Sequence, residues 1–155
     1  MKIYLAADHA GFELKEKIKK YLEDLKYEIE DFGAFNYKPE DDYPDFIFPA
    51  MKTLAADIQR GADSQGIIFG GSGQGEAMIA NRFPEIRAVV CDDSNELSLK
   101  TKTWREHNNS NVLSFGARFI DEKNALDAVK VWLETPFPDE PRHLRRLKKI
   151  EELFT

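Results

Sequence analysis

The sequence predicts an α/β fold in which a parallel sheet of five strands has helices on both faces. Short apolar runs occur five times, and each precedes a segment with the apolar spacing or the end signals of a helix. Strands that are apolar throughout are typical of parallel sheets, because such sheets are buried on both faces. A further helix, reached through several prolines, completes this single domain of residues 1–155.

The first half of the chain supplies two strands and two helices. Residues 2–7 form an apolar run that predicts the first strand, and residues 27–32 predict the second. Between them, residues 10–26 have a helical apolar face formed by Leu14, Ile18, Tyr21, Leu22 and Leu25. After an irregular acidic and aromatic loop, proline in the first turn favours a helix over residues 44–59.

The second half repeats the strand–helix pattern three times. Its predicted elements are a strand at 66–69, a helix ending near 83, a strand at 87–91, a helix at 94–104, a strand at 111–115 and a helix at 121–134. Asp93 or Ser94 is the expected N-cap of the helix at 94–104. Three prolines between 136 and 141 predict an extended arm, and a last helix follows over 141–154. We expect this arm and helix, residues 136–155, to pack on a partner subunit.

Length and charge limit the class of protein. The chain has 155 residues and a net charge of −6, which argues against a general nucleic-acid binder. No apolar run approaches the length of a membrane span, and the first residues lack a secretory signal, so we expect a cytoplasmic protein. The only cysteine, Cys91, ends a predicted strand and is expected to be a buried apolar side chain.

A glycine-rich loop joins the third strand to its helix. Residues 70–75 contain four glycines, and Glu76 follows them. Such a loop can direct main-chain N–H groups at an anion or at a developing oxyanion. The letters fit neither the dinucleotide fingerprint nor a P-loop. Because Glu76 would repel a phosphate, the loop is either a tight turn or an oxyanion hole with a carboxylate base beside it.

Polar residues follow four of the five strands at the edge where parallel sheets bind ligands. They are Asp8 and His9, the glycine loop, Asp92 and Asp93, and the segment 116–118. Asp8 or His9 either caps the first helix or binds a sugar or phosphate oxygen. The chain has three histidines, His9, His107 and His143, all at predicted junctions, where each is a candidate acid–base group.

The C-terminal helix begins with an unusual concentration of positive charge. Residues 142–149 contain six basic side chains, counting His143. Cations at a helix N-terminus are disfavoured by the helix dipole, whereas converging arginines suit a phosphate. The alternative is a solvated basic face. A third possibility, nucleic-acid binding, is opposed by the acidic composition and the lack of interleaved aromatic residues.

No metal site is expected. The acids Asp41, Asp42 and Asp45 do not have the spacing of a calcium loop, and no cysteine–histidine cluster has metal-ligand spacing. We interpret this acidic stretch as a polar loop and helix cap.

Seven segments together resemble the ribose-5-phosphate isomerase B family, which includes the galactose-6-phosphate isomerase subunits. They are Ala7-Asp8-His9-Ala10-Gly11, Asp42-Tyr43-Pro44, Gly71-Ser72-Gly73-Gln74-Gly75-Glu76, Ala80-Asn81-Arg82, Arg105-Glu106-His107-Asn108-Asn109, Gly116-Ala117-Arg118 and Arg142-His143-Leu144-Arg145-Arg146. They occur in the family's order and cover nearly the whole chain.

The resemblance implies a Rossmann-like three-layer fold and a homodimer, or a dimer of dimers, with shared sites and without a metal or other cofactor. It implies the interconversion of an aldose phosphate and its ketose, with ribose 5-phosphate as the default substrate. Phosphates of allose, galactose or a tetrose are alternatives, as is a non-catalytic sugar-phosphate-binding protein.

The resemblance also assigns roles to residues. The substrate would be contacted by Asp8 and His9. The enediolate oxygen would be held by Ser72 and by the amides of Gly71, Gly73 and Gly75. His107 would help to open the sugar ring, and Asn108 would support the enediolate or ring oxygens. The phosphate would be bound by Arg118, Arg142 and Arg146, with His143 nearby.

The family has two kinds of catalytic base. One branch has a cysteine directly before the glycine loop, where this chain has Gly70. The other branch has a glutamate after the loop, and this chain has Glu76 there. The resemblance therefore implies that Glu76 is the base.

Overall fold

A computed structural model describes residues 1–92 and 95–154, which form five strands and six helices. The strands are β1 (Lys2–Ala7), β2 (Glu28–Asp31), β3 (Ser64–Gly70), β4 (Ala88–Cys91) and β5 (Val112–Gly116). The helices are α1 (Phe12–Asp24), α2 (Pro44–Gln59), α3 (Gln74–Ala80), α4 (Leu97–Asn108), α5 (Glu122–Glu134) and α6 (Pro141–Glu152). The strands are parallel and lie in the order β2-β1-β3-β5-β4, which confirms the predicted Rossmann-like sheet.

Each face of the sheet has its own apolar core. Alternate residues of β1 point to opposite sides, since Ile3 and Leu5 join one core while Tyr4 joins the other. Helices α1 and α5 cover the first core, and α2 covers the second. Cys91 is a free thiol buried in the first core, as expected. Two buried cores fix the sheet and hold the ends of its strands in place.

Several boundaries differ from the predictions. Helix α1 ends at Asp24, and Leu25, expected on its buried face, is 50% exposed. Helix α4 extends to Asn108 rather than ending near 104, so His107 lies in its last turn and not in a connection. The helix stops where Asn109 adopts a left-handed conformation, with φ 44°. The proposed N-caps Asp93 and Ser94 lie outside the described residues.

Helix α6 makes few contacts with the rest of its own chain. Of its described residues, His143 alone is buried. Apolar side chains remain exposed at the end of the chain, with Phe154 at 75%. Some of them line an open groove of about 400 Å³ between α6 and the segment that joins α3 to β4. Within the described part of the chain, no helix is long and apolar enough to cross a membrane.

Candidate active site

The carboxyl ends of β1, β3 and β5 bring the first group of predicted site residues together. The strand register pairs Ala7 with Phe69 and Gly70 with Gly116, so the segments that follow these residues are neighbours. The expectation that Asp8, the glycine loop and Arg118 share one edge of the sheet is therefore confirmed. We call this group of residues the loop site.

The glycine loop is packed tightly against the end of β5. Gly73 has φ +74°, and a Cβ there would lie 2.9 Å from the main-chain nitrogen of Gly116. The hydroxyl of Ser114 donates a hydrogen bond of 2.6 Å to the carbonyl oxygen of Gly73. The Ser72 hydroxyl accepts one from the N–H of Gln74 at 3.3 Å. These contacts fix the loop in a conformation that side chains larger than hydrogen would disrupt.

The fixed loop offers main-chain donors. Within residues 1–92 and 95–154, the N–H groups of Gly71, Ser72 and Gly73 find no hydrogen-bond acceptor. Neighbouring N–H groups without internal partners are suited to bind a negative oxygen. The loop therefore has the chemistry of an oxyanion hole.

The carboxylate of Glu76 fills the space that a side chain on Gly70 would take. A Cβ built on Gly70 would lie 1.8 Å from Oε1 of Glu76. Glu76 is only 3% exposed. Burial raises the pKa of Glu76 and the Asp8 carboxylate raises it further, against a hydrogen bond from its own main-chain N–H. Glu76 is thus a partly desolvated carboxylate beside the N–H groups of the loop.

This contact predicts the effect of Gly70→Ala. The added methyl group must displace the Glu76 carboxylate, which is the mobile end of a side chain, so the fold should tolerate it. With Glu76 as the base, as the resemblance implies, this displacement is expected to lower kcat by about 10²-fold. Turnover and thermal unfolding should be measured together.

Gly66→Ala in the same strand is the matched control for that experiment. Its Cβ would meet core side chains, among them Leu54 at 3.0 Å, so it should lower the unfolding temperature without a comparable loss of kcat. Wild-type kcat in folded Gly70→Ala would contradict the placement of Glu76.

Two further side chains lie directly against the loop. The guanidinium of Arg118 lies over Gly71, where a Cβ would be 3.0 Å from Nη1. The ring of Tyr43 lies over Gly75, where a Cβ would be 2.7 Å from Cζ and 2.8 Å from the hydroxyl oxygen. Tyr43 has no predicted role, although it lies in a segment that carries the resemblance. The missing side chains at Gly71 and Gly75 let both polar groups reach the site.

Asp8 and His9 occupy the turn between β1 and α1. Oδ1 of Asp8 accepts hydrogen bonds from the N–H groups of Ala10 at 3.0 Å and Gly11 at 3.1 Å, so it closes the turn that precedes α1. The N-cap of α1 is Gly11, which has no side-chain cap, so the prediction that Asp8 or His9 caps this helix is wrong. The ring of His9 is bonded through Nδ1 to Oδ1 of Asp41 at 2.7 Å.

The partnership of Asp41 was not predicted, because a contact across 32 residues leaves no signal in spacing. Ligand atoms of Asp8, His9 and Asp41 lie within 4.8 Å of one another. The His9–Asp41 contact has the length of a charge-assisted hydrogen bond. We therefore interpret this cluster as a hydrogen-bonded pair beside Asp8.

The remaining predicted residues form a second group, which we call the helix site. It contains His107 and Asn108 at the end of α4 and Arg142, His143 and Arg146 on α6. The rings of His107 and His143 are stacked, with centroids 4.3 Å apart. His143 is 3% exposed, and burial together with Arg142 and His107 lowers its pKa.

One chain does not bring the two groups together. His107 and Asn108 of the helix site lie just before the start of β5, whereas the loop site lies at the carboxyl ends of the strands, so the two groups lie at opposite ends of the sheet. His143 of α6 lies at the same end as His107, on which it stacks. Arg142 pairs with Glu140 at 2.9 Å, and Arg146 is exposed. A small ligand therefore cannot touch both groups of one chain.

The protein has an α/β fold with a parallel sheet, and the loop site lies at the carboxyl edge, where sheets of this kind bind ligands. The family model described as Ribose/Galactose Isomerase matches residues 3–150, and this chain belongs to that family. It is 40% identical to the ribose-5-phosphate isomerase B of Mycolicibacterium paratuberculosis, over 98% of this chain and 91% of that protein.

Solved structures agree with this assignment. The ribose-5-phosphate isomerase B of Mycoplasma genitalium, with bound ribulose-5-phosphate, has a TM-score of 0.88 and 29% identity over 98% of this chain and 95% of that one. The Thermotoga maritima enzyme has a TM-score of 0.85 and 38% identity over 97% of each chain. The resemblance found in the sequence is thus confirmed.

Proposed function

We propose that the protein interconverts ribose 5-phosphate and ribulose 5-phosphate, with Glu76 as the base. The observation that carries the proposal is the buried Glu76 carboxylate over Gly70, beside loop N–H groups that have no partner among the described residues. The family and the named relatives support the reaction class.

The reaction needs a base and an oxyanion hole on neighbouring atoms. The Glu76 carboxylate takes the proton from C2 of the open-chain aldose, and the C–H electron pair forms the C1–C2 double bond. The carbonyl oxygen on C1 becomes negative, and the N–H groups of the loop stabilise it, at about 3 kcal/mol for each such donor. Glu76 returns its proton to C1, the oxygen on C1 gains a proton, and the hydroxyl on C2 becomes the ketone as it loses its own.

The side chains around the loop hold the substrate. Ser72 adds a hydroxyl to the oxyanion hole. Asp8 accepts hydrogen bonds from sugar hydroxyls, and His9 binds sugar or phosphate oxygens. Arg118 binds the phosphate group. Because its guanidinium lies over Gly71, this charge stays close to the loop. Phosphate binding then supplies energy that positions the reacting carbons over Glu76.

A second copy of the chain completes the site. We place its Arg142 and Arg146 on the phosphate, and its His107 and Asn108 at the ring oxygen and the enediolate. The exposed apolar end of α6 supports such a dimer, because a partner subunit would cover it. The burial of His143 does not support direct substrate contact, so we assign it to the support of His107, on which it stacks.

The raised pKa of Glu76 predicts the pH profile. The base works in its ionised form, so kcat/KM should fall towards acid through a pKa above that of an exposed glutamate. The substrate phosphate also titrates near this range. Asp8→Asn distinguishes the titration of Glu76 from that of the phosphate. Removal of the Asp8 charge should lower the pKa of Glu76 and move the acid limb of the profile to lower pH. If Asp8→Asn leaves the acid limb of the profile unshifted, that limb reports the phosphate group of the substrate and not Glu76.

The length of the sugar depends on the residues that line the open side of the loop site. The loop at 33–43 borders the loop site and exposes the rings of Phe35 and Tyr37. We place the choice of sugar length there, and the alternatives are allose 6-phosphate, galactose 6-phosphate and a tetrose phosphate. The test is kcat/KM over aldose phosphates of four to six carbons, with ribose 5-phosphate expected to be highest. Binding without turnover of any of them would instead indicate a non-catalytic sugar-phosphate-binding protein.

A further inference from the structure

The segment between β2 and α2 holds Asp41 against the end of β1. Its first residues are tied to β1, since the N–H of Ala7 donates to the carbonyl oxygen of Gly33 and the N–H of Ala34 donates to the carbonyl oxygen of Ala7, both at 2.6 Å. Further along, the N–H of Asp41 closes a turn on the carbonyl oxygen of Lys38 at 3.1 Å. Asp41 is thus delivered to the substrate edge by a segment fixed at two points.

A single oxygen of Asp41 holds His9 twice. Oδ1 accepts the main-chain N–H of His9 at 3.0 Å and lies 2.7 Å from its Nδ1. The side chain of Asp41 is only 9% exposed. An ionised carboxylate can only accept hydrogen bonds, so the proton of this second contact belongs to Nδ1. The ring is therefore fixed in both orientation and tautomer.

The other side of the imidazole is left for a ligand. Nε2 of His9 makes no hydrogen bond with residues 1–92 or 95–154, and the side chain is 21% exposed. The rings of Tyr37 and His9 meet in a T-shaped contact, with centroids 6.0 Å apart. Asp41 holds one nitrogen while the opposite nitrogen faces open space.

We propose that Asp41 is a positioning residue that fixes the Nδ1–H tautomer of His9 and presents Nε2 to the sugar phosphate. The role in turnover rests on the proposed isomerase function, whereas the tautomer itself is a property of the free protein. Neutral Nε2 accepts a hydrogen bond from a sugar hydroxyl, and protonated Nε2 donates one to a phosphate oxygen. Asp41 acts through His9 and does not touch the substrate.

The direct test is the protonation of His9 in the free protein, measured from the ¹⁵N shifts of its ring nitrogens. The chain has three histidines, so His9→Asn assigns the signals. In the wild type, Nδ1 should carry a proton in both the charged and the neutral form. In Asp41→Ala, the neutral ring should shift to the Nε2–H tautomer. A wild-type ring with its proton on Nε2, or an unchanged tautomer in Asp41→Ala, would overturn the proposal.

Kinetics with two companion variants extend the test. Asp41→Ala should lower kcat/KM for ribose 5-phosphate by about 10- to 100-fold. Asp41→Asn should restore the tautomer and most of the activity, because the main-chain N–H of His9 keeps the amide oxygen in place of Oδ1. Glu40→Gln, an exposed neighbour, controls for loss of charge from the loop. Equal loss in the alanine and asparagine variants would contradict the positioning role.

If Asp41→Ala does not fold, Asp41→Asn still tests the proposal through its ¹⁵N shifts, because the Nδ1–H tautomer must survive. If the tautomer behaves as expected and no variant or wild type turns over a sugar phosphate, the isomerase proposal fails while the assignment of Asp41 stands.

Discussion

Glu76→Gln is expected to lower kcat by roughly 10²–10⁴-fold, the usual contribution of a general base. Glutamine has the shape of glutamate and fits the same space over Gly70, but it cannot accept the C2 proton. Because the phosphate contacts lie elsewhere, affinity for a phosphate ligand should persist. The measurement is turnover of ribose 5-phosphate together with the binding of ribitol 5-phosphate, which has no carbonyl group and cannot isomerise.

The same variant should be more stable than the wild type at neutral pH. Burial raises the pKa of Glu76, so the folded protein binds more protons here than the unfolded chain does. Its contribution to stability is therefore present at low pH and is lost as the pH rises through the folded-state pKa. Neutral glutamine does not ionise, so the variant does not lose this stability as the pH rises. The unfolding temperatures of the wild type and of Glu76→Gln should therefore converge in acid. Near-wild-type turnover, or a variant less stable at neutral pH, would contradict this role for Glu76.

Complementation between two inactive chains is the second large effect. The Arg142→Ala/Arg146→Ala double variant should lose about 10²-fold or more in kcat/KM, because charge-assisted contacts to phosphate are removed. A heterodimer of this variant with Glu76→Gln has one site with both defects and one native site. It should recover about half of the wild-type activity. The heterodimer can be isolated by co-expression with two different affinity tags.

The activity recovered in the heterodimer depends on which chain's Glu76 the arginines serve. If Arg142 and Arg146 served the Glu76 of their own chain, each site in the heterodimer would carry one defect. No recovery would then be observed. Arg60→Ala in place of the double variant is a suitable control, because Arg60 is exposed and pairs with Asp57 at the end of α2.

Elements whose ends are encoded locally could be predicted from the sequence. Helix α2 was predicted with its observed limits, Pro44–Gln59, because proline fixes the first turn. The end of α4 was not predicted correctly, because contacts with residues outside the helix stabilise its last turn. The Arg105 guanidinium donates to the carbonyl oxygens of Thr135 and Ser110, which lie in later parts of the chain. These contacts stabilise the last turn, which carries His107.

The site residues also divide into those that the sequence predicts and those that only distant contacts bring together. The order of motifs along parallel strands was enough to place Asp8, the glycine loop and Arg118 at one edge. Position after the glycine loop also marked Glu76, although its carboxylate lies over Gly70 only because the loop folds back. The bond from His9 to Asp41 joins two segments without periodicity, so only the structure reveals it.

In the proposed mechanism, the carboxylate over Gly70 moves a proton between C1 and C2 of ribose 5-phosphate. The most direct test is ¹H NMR of ribose 5-phosphate with the wild-type protein in D₂O. The predicted result is the appearance of ribulose 5-phosphate together with loss of the C2 proton signal from the remaining aldose, as the base exchanges with solvent. Unchanged ribose 5-phosphate, with its C2 proton intact after prolonged incubation, would contradict the account.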